Sequence, residues 1–354
     1  MESHKNTYPL LCSYKNLEKA FNKARKGKSF MPYVVDFEKN KELNLLKLKN
    51  ELETFSYKPS PLKKFIIQDP KTRVIRKSHF RDRIVHHAIV NILEPIYEKI
   101  FIFDSYANRI SKGTIAALKR FDNFKRKASG GGALLKNAKN NNLVKGYILK
   151  ADIKHFFDSV NHEVLLDILK RKIKDKRVIW LVSIVLKNFP NKEKGMPLGN
   201  MTSQFFANVY LNELDYFIKH KLRMKAYLRY VDDFVILYES KEVLNVCKDK
   251  ISKYLKYLKL ELHKDKTKIF SLSKGTNLLG FRIFYYYRLL RKRNINQFNK
   301  RLEKLKEEYK DGLIDYEQII ASLQGWFAYA IWANTYKLRK SMLREVNEFT
   351  SSSS

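Results

Sequence analysis

Apolar positions along the chain change spacing several times, and each spacing predicts a different element. In residues 14–28, Leu17, Phe21 and Ala24 recur at steps of three and four, the period of a helix with one apolar face. Residues 40–57 repeat that pattern, and 82–102 carry a longer apolar stripe with Pro95 as a kink. Between 62 and 77, two β-rich runs flank Asp69-Pro70, which reads as a hairpin. Tyr147–Asp152 reads as a buried strand ending in an acid. Helices are predicted over roughly 161–188, over 202–222 with Thr202 as a cap, and over 241–258. Residues 226–238, AYLRYVDDFVILY, read as two apolar strand halves interrupted by Asp232-Asp233. A short strand pair is expected over 267–287, then a helix over 288–310 stopping at Gly312 and a second through DYEQIIASLQGWFAYAIWANTYKLRKSM. Strands and helices alternate without a steady βαβ rhythm, so the fold class is α+β around a central antiparallel sheet.

Composition narrows the class. The 354 residues hold 71 Lys and Arg against 36 Asp and Glu, a formal net charge of +35. Such an excess points to a polyanionic partner, most simply nucleic acid. A content of 44% hydrophobic and 13% aromatic residues argues for packed cores rather than a basic tail. Two distant cysteines, Cys12 and Cys247, support neither a disulfide framework nor a four-ligand zinc site. No continuous apolar stretch approaches a membrane span, and the start of the chain lacks a signal-type apolar core, so a cytoplasmic setting without membrane contact is expected. Gly130–Gly132 lie in a low-complexity stretch, 126–146, but no Gly-Lys-Ser/Thr follows, so a surface loop is expected there rather than a phosphate loop.

The candidate chemistry lies in the acids. An Asp pair inside an apolar hairpin is costly unless a cation neutralises it, although a plain Asp-rich turn is the competing reading. Asp152 also ends an apolar strand, and strands placed side by side would bring it against Asp232 and Asp233. Three clustered carboxylates suit Mg²⁺, and two such ions, for which Mn²⁺ can substitute, suit nucleotidyl transfer.

At these residues the chain resembles the reverse transcriptases. The match runs through Lys71-x-Arg73-x-Ile75, FRDRIVHHAIVNILEPIYE, SYANRISKGT (105–114) and LKADIKHFFDSVNH (149–162). It continues through GMPLGNMTSQFFANVYLNELD (195–215), RYVDDFVIL (229–237), Lys266-Thr267 and LLGF (278–281), in family order. The resemblance implies a right-hand polymerase. It assigns an N-terminal extension and fingers to 1–125, a flexible loop to 126–146, a palm to 147–287, a helical thumb to 288–350 and a disordered tail to 351–354. It implies catalytic, metal-binding roles for Asp152, Asp232 and Asp233. Nucleotide contacts are implied for Lys71, Arg73, Arg76, Leu198, Gly199 and Lys266, with Phe157 as an aromatic gate against a ribose 2′-hydroxyl. Arg291, Lys292, Arg293, Lys300, Arg301 and Lys304 form the basic face expected to track the primer–template backbone. Trp326, Phe327 and Trp332 are expected in the thumb core.

Many reverse transcriptases carry Gln-Gly-x-x-x-Ser-Pro in the fourth block, where this chain has Leu198-Gly199-Asn200-Met201-Thr202-Ser203-Gln204. That form resembles the enzymes of diversity-generating retroelements, which copy a template-repeat RNA into cDNA with errors at adenines. Their implied partners are the template RNA, a primer, dNTPs and a small basic accessory variability protein, in a prokaryotic or phage-encoded setting. A defence-associated or unassigned bacterial reverse transcriptase remains open as an alternative, as does a maturase-like RNA chaperone. No endonuclease or RNase H module is expected after residue 350.

Overall fold

The computed structural model describes residues 4–68, 72–129 and 144–351. They form two compact units, one drawn from 1–112, 150–235 and 245–268, the other from 113–149, 236–244 and 269–354.

The first unit opens with α1 (Tyr8–Cys12), α2 (Tyr14–Arg25), α3 (Pro32–Lys39) and α4 (Lys41–Glu53). The predicted α2 starts because the Ser13 hydroxyl accepts from the Asn16 amide, and it buries Leu17, Phe21 and Ala24 as the spacing required. A hairpin follows, β1 (Lys63–Ile67) against β2 (Arg73–Lys77), antiparallel with Phe65 opposite Ile75. The predicted Asp69-Pro70 turn and Lys71 lie outside the described residues. Helix α5 (Phe80–Glu98) ends four residues earlier than the apolar stripe suggests, within one turn of Pro95, which has no amide hydrogen to continue the ladder.

Helix α6 (Thr114–Ala128) has no counterpart in the sequence reading and takes in Arg126–Ala128 of the expected loop. Strand β3 (Tyr147–Asp152) and helices α7 (Phe156–Ser159), α8 (His162–Lys172), α9 (Lys176–Lys187) and α10 (Met201–Tyr216) come next. Asn200, not Thr202, precedes α10; Thr202 is its buried second residue, its hydroxyl 2.9 Å from His86 Nδ1. A π-helical turn, Phe217–Lys221, continues α10. Strands β4 (Tyr227–Tyr230) and β5 (Asp233–Tyr238), helix α11 (Lys241–Tyr257) and strand β6 (Lys268–Ser271) follow, with a four-stranded sheet in the order β4-β5-β3-β6.

In the second unit, β7 (Thr276–Leu278), β8 (Phe281–Ile283) and β9 (Arg288–Leu290) make an antiparallel sheet. The 288–310 segment is therefore a strand first and a helix, α12 (Lys292–Lys310), second; Gly312, at φ +71°, follows its end. The long helix expected from Asp315 splits into α13 (Tyr316–Ala330) and α14 (Tyr336–Ser351). A reciprocal cap between Asp315 and Gln318 starts α13, and the Thr335 hydroxyl bonding the Ala330 carbonyl closes it. Phe298, Leu302, Ile319, Leu323, Met342 and Val346 form the core of the three helices, with Trp326 and Phe327 packed against it; Trp332 is not in that cluster. Ser351 ends α14, and 352–354 lie outside the described residues.

One buried ion pair fixes the β4–β5 turn. Arg229, in the apolar β4, is fully buried, and its Nε and Nη2 donate to Asp215 of α10 at 2.7 and 2.6 Å. Its Nη1 donates to Asn208 Oδ1 at 3.1 Å and to the Val231 carbonyl at 3.0 Å. The Tyr227 hydroxyl supplies Asp215 with a third donor at 2.6 Å. Val231 has φ +57°, an unfavourable conformation for a β-branched residue, and the Arg229 bond to its carbonyl holds it there.

Two outcomes follow from these contacts. Arg229→Met or Asp215→Asn alone strands a buried charge, and urea unfolding should show a loss of roughly 3–5 kcal/mol. The double change Arg229→Met/Asp215→Leu should recover most of it. Singles costing under about 1 kcal/mol would mean the pair does not anchor the turn. His86 tests a second anchor. Burial pushes its pKa down from 6.5 to about 3, with His87 and Arg83 adding to the effect. Its contribution is complete above pH 6.5 and falls as pH drops toward 3, by up to about 1.4 kcal/mol per unit. Melting curves from pH 7.5 to 5 should therefore fall more steeply for the native chain than for His86→Asn; parallel curves would exclude His86.

Candidate active site

Strand β3 is buried along its apolar run and delivers Asp152, 8% exposed, at its end. Strand β5 lies next to β3 and begins with Asp233, and Asp232 occupies the turn that Arg229 fixes. Residues 261–263 line the end of β3: the Lys154 amide donates to Glu261 O, and the His263 amide to Asp152 O, both at 2.8 Å. From that segment Lys266 reaches back, its Nζ 2.7 Å from Asp152 Oδ1.

The three carboxyl groups interact strongly. Burial raises the Asp232 pKa from 3.8 to about 6, and the charges of Asp233 and Asp152 push the same way. Its own backbone amide and Lys266 oppose them. Asp233 is raised as well, first by burial, then by Asp152 through both charge and a hydrogen bond, while Lys150 and Lys266 pull it down. This is a partly desolvated pocket of negative charge in a strongly basic chain.

The donor chemistry fits a divalent cation: hard oxygens with more negative charge than one ammonium offsets. Among the described residues, no three His, Cys, Asp or Glu side chains converge as a closed ligand set. The Lys266 ammonium is on Asp152 instead, so metal uptake there competes with that ion pair.

Aromatic and glycine residues build the walls. Phe156 is buried, and Phe157, half-buried, meets it edge-on with centroids 5.3 Å apart. The Phe157 carbonyl accepts from the Met196 amide at 2.7 Å, tying the segment after β3 to the 195–200 loop. In that loop Gly195 has φ +95°, and a Cβ there would fall 2.3 Å from the Phe189 ring. Gly199 has φ +103°, and its Cβ position lies 3.4 Å from Ile75 Cγ2, so the exposed Gly199 and half-buried Leu198 lie beside β2. The Ser78 amide donates to Asn200 Oδ1 at 3.4 Å, a second tie between β2 and this loop.

The structure thus brings together Asp152, Asp232, Asp233 and Lys266, and joins the Phe157 segment to the Leu198-Gly199 loop and β2. Arg73 is exposed on β2. Arg76 is half-buried, its guanidinium 5.1 Å over the Phe189 ring. Arg291, Lys292, Arg293, Lys300, Arg301 and Lys304 are all exposed at or along α12 in the second unit, with Lys304 paired to Glu308 at 3.2 Å. Arg229 and Asp215 were missed from sequence. The available signal was a charged residue inside the apolar run AYLRYV, the same anomaly that drew attention to Asp232 and Asp233.

The reverse transcriptase (RNA-dependent DNA polymerase) family model matches residues 61–283. Protein YkfC of Escherichia coli (strain K12) is 27% identical over 290 residues, 70% of this chain and 71% of that protein. The group II intron-encoded protein LtrA of Lactococcus lactis subsp. cremoris is 29% identical over 194 residues, 52% of this chain. That match spans only 29% of LtrA. An apo telomerase from Candida Tropicalis, truncated from its C-terminal domain, aligns at a TM-score of 0.45 and 17% identity, over 68% of this chain and 59% of that one. With its family match covering more than half of its length, this chain, mixed in helix and strand, belongs to the reverse transcriptase (RNA-dependent DNA polymerase) family.

Proposed function

We propose that this chain copies an RNA template into cDNA at the Asp152–Asp232–Asp233 site, and that it does so with errors directed to template adenines, as in a diversity-generating retroelement. The charge coupling of Asp232 and Asp233 to each other and to Asp152, at the ends of neighbouring strands, carries the catalytic part of this reading. Such an arrangement costs stability, and a protein that only binds RNA gains nothing from it.

Asp152, Asp232 and Asp233 would hold Mg²⁺, with Mn²⁺ as a substitute. Two bound ions would supply a lowered pKa for the attacking 3′-hydroxyl and stabilise the charge of the leaving pyrophosphate. The chain's own residues do the rest. Lys266, beside Asp152, carries a fixed positive charge to the triphosphate end of the site. Arg73 adds a second on β2, while Arg76, stacked on Phe189, positions that strand. Phe157 stands one short turn beyond Asp152 and crowds a ribose 2′-hydroxyl, favouring deoxynucleotides. The exposed basic residues of α12 bind phosphates of the primer–template.

The error-prone part rests on Leu198. A leucine there makes no hydrogen bond to the incoming nucleotide, so discrimination loses about 1 kcal/mol, a several-fold effect on selectivity. The template-repeat RNA and a small basic accessory protein are the partners of this reading. Similarity to the group II intron-encoded LtrA supports a second one, in which the chain acts on a structured intron-like RNA.

Extension of a DNA primer on an RNA template in Mg²⁺, with product sequencing, separates these readings. Asp152→Asn, Asp232→Asn and Asp233→Asn should each lower extension by at least about a thousandfold. For Asp232, neutralisation also removes a cost of burying the charge, and of repulsion by Asp233 and Asp152, of up to about 3 kcal/mol at neutral pH, so that variant should melt no lower than the native chain. Full extension by these variants would exclude the site. Leu198→Gln should lower misincorporation opposite adenine several-fold; an unchanged error spectrum would remove Leu198 from the explanation. Accurate extension by the native chain would retain the polymerase and discard the mutagenic reading.

A further inference from the structure

A second site stands out in the first unit, sharing no residue with the carboxylate cluster. It is a cavity of about 1000 Å³ between the end of α5, helices α8 and α10, the π-helical turn and α11. That volume is at the upper end for small-molecule sites.

Its walls are apolar and flat-sided. Ile100, Ile168 and Val209 line it with four aromatic residues, Tyr97, Tyr216, Phe217 and Tyr254. Phe217 and Tyr254 are stacked in parallel, 4.1 Å between centroids and 2° between planes. The π-helical turn turns Phe217, His220 and Lys221 toward the same space. Single π-helical turns cost hydrogen-bond geometry and recur at functional sites.

Two lining residues carry a buried polar atom with no hydrogen-bond partner. These are the Tyr97 hydroxyl and Asn212 Oδ1, on side chains 3% and 7% exposed. Each is a buried polar group without a partner beside the cavity, and a small side-chain rotation would bring it to a ligand there. Asn212 Oδ1 accepts only, and the Tyr97 hydroxyl can donate or accept, so the amino edge of a base, with its ring nitrogen beside it, satisfies both.

The rim is cationic. Lys99, Lys172 and Lys221 line the cavity together with Arg171, and Glu213 is the acid among them. Glu213 is already engaged by Arg171 at 2.7 Å, which leaves three lysines uncompensated within the cavity. Several dispersed cations suit a ligand with more than one negative oxygen.

From flat apolar walls, a donor-seeking carbonyl and a lysine rim, we infer that this cavity binds a nucleobase together with its phosphate. The base lies among the aromatic residues, its amino edge on Asn212 and Tyr97, and the phosphate meets Lys99, Lys172 and Lys221. The base can come from a free nucleotide or from an unpaired nucleotide of bound RNA, since recognition of single-stranded RNA uses the same stacking and edge contacts.

Photolabelling of the full chain tests this. The probes are 8-azido-ATP in EDTA and, separately, a short single-stranded RNA carrying 8-azidoadenosine, with labelled peptides mapped by mass spectrometry. Labels are expected in peptides spanning 97–100, 209–221 or 254. The triple variant Lys99→Ala/Lys172→Ala/Lys221→Ala should reduce them at least about fivefold, equivalent to about 1 kcal/mol. Tyr97→Phe, which deletes one oxygen, should reduce them about threefold and decides the matter if the triple variant fails to fold. Labelling by ATP that unlabelled RNA does not displace assigns a free nucleotide; labelling by the RNA probe alone assigns an unpaired RNA nucleotide. Labels confined to other peptides, or undiminished in both variants, would overturn the site.

Discussion

The Arg229–Asp215 pair is the constraint on which the carboxylate-bearing end of the sheet depends. A guanidinium inside an apolar strand is tolerable only when its donors find partners, and Asp215, Asn208 and the Val231 carbonyl take four of its five N–H groups. The pair adds little net stability, because both charges have left water. What it provides is position. It locks α10 to β4 and holds Val231 in a backbone conformation that valine does not choose, and Asp232 follows directly. The sharp placement of one carboxylate thus depends on an ion pair that touches no substrate.

Around that anchor the chain maintains an electrical contrast. Its surface is strongly basic, suited to phosphate backbones, while Asp152, Asp232 and Asp233 concentrate negative charge where burial makes it expensive. Lys266 offsets part of that charge through Asp152. The repulsion that remains is a stability cost concentrated at these carboxylates, and the hydrogen bonds from Ser78, the 195–200 loop and residues 261–263 hold the surrounding frame.

Much of this was legible in the sequence, for identifiable reasons. The strands ending in Asp152 and flanking Asp232-Asp233 were readable because acids interrupt otherwise apolar runs. Helix α2 was readable because its period and its Ser13 cap agree. Helix α6 was passed over beside the low-complexity stretch, where composition drew attention away from Leu118, Phe121 and Phe124, all buried. The α13–α14 break was invisible because apolar residues continue through it; the bond from Thr335 to the Ala330 carbonyl, not the pattern, ends α13. Thr202 resembled a cap, yet its partner is His86, 116 residues away. Long-range partners such as Asp215 for Arg229 or Asp152 for Lys266 leave no local periodicity to read.

Phe189 shows how such dependence spreads. One face of its ring carries the Arg76 guanidinium, and its edge abuts Gly195, where even a methyl group has no room. A single buried ring therefore sets the spacing between the β1–β2 hairpin and the loop that bears Leu198. A change of ring at position 189 then shifts the hairpin and the loop together, so that the two behave as one packing unit rather than as separate contacts.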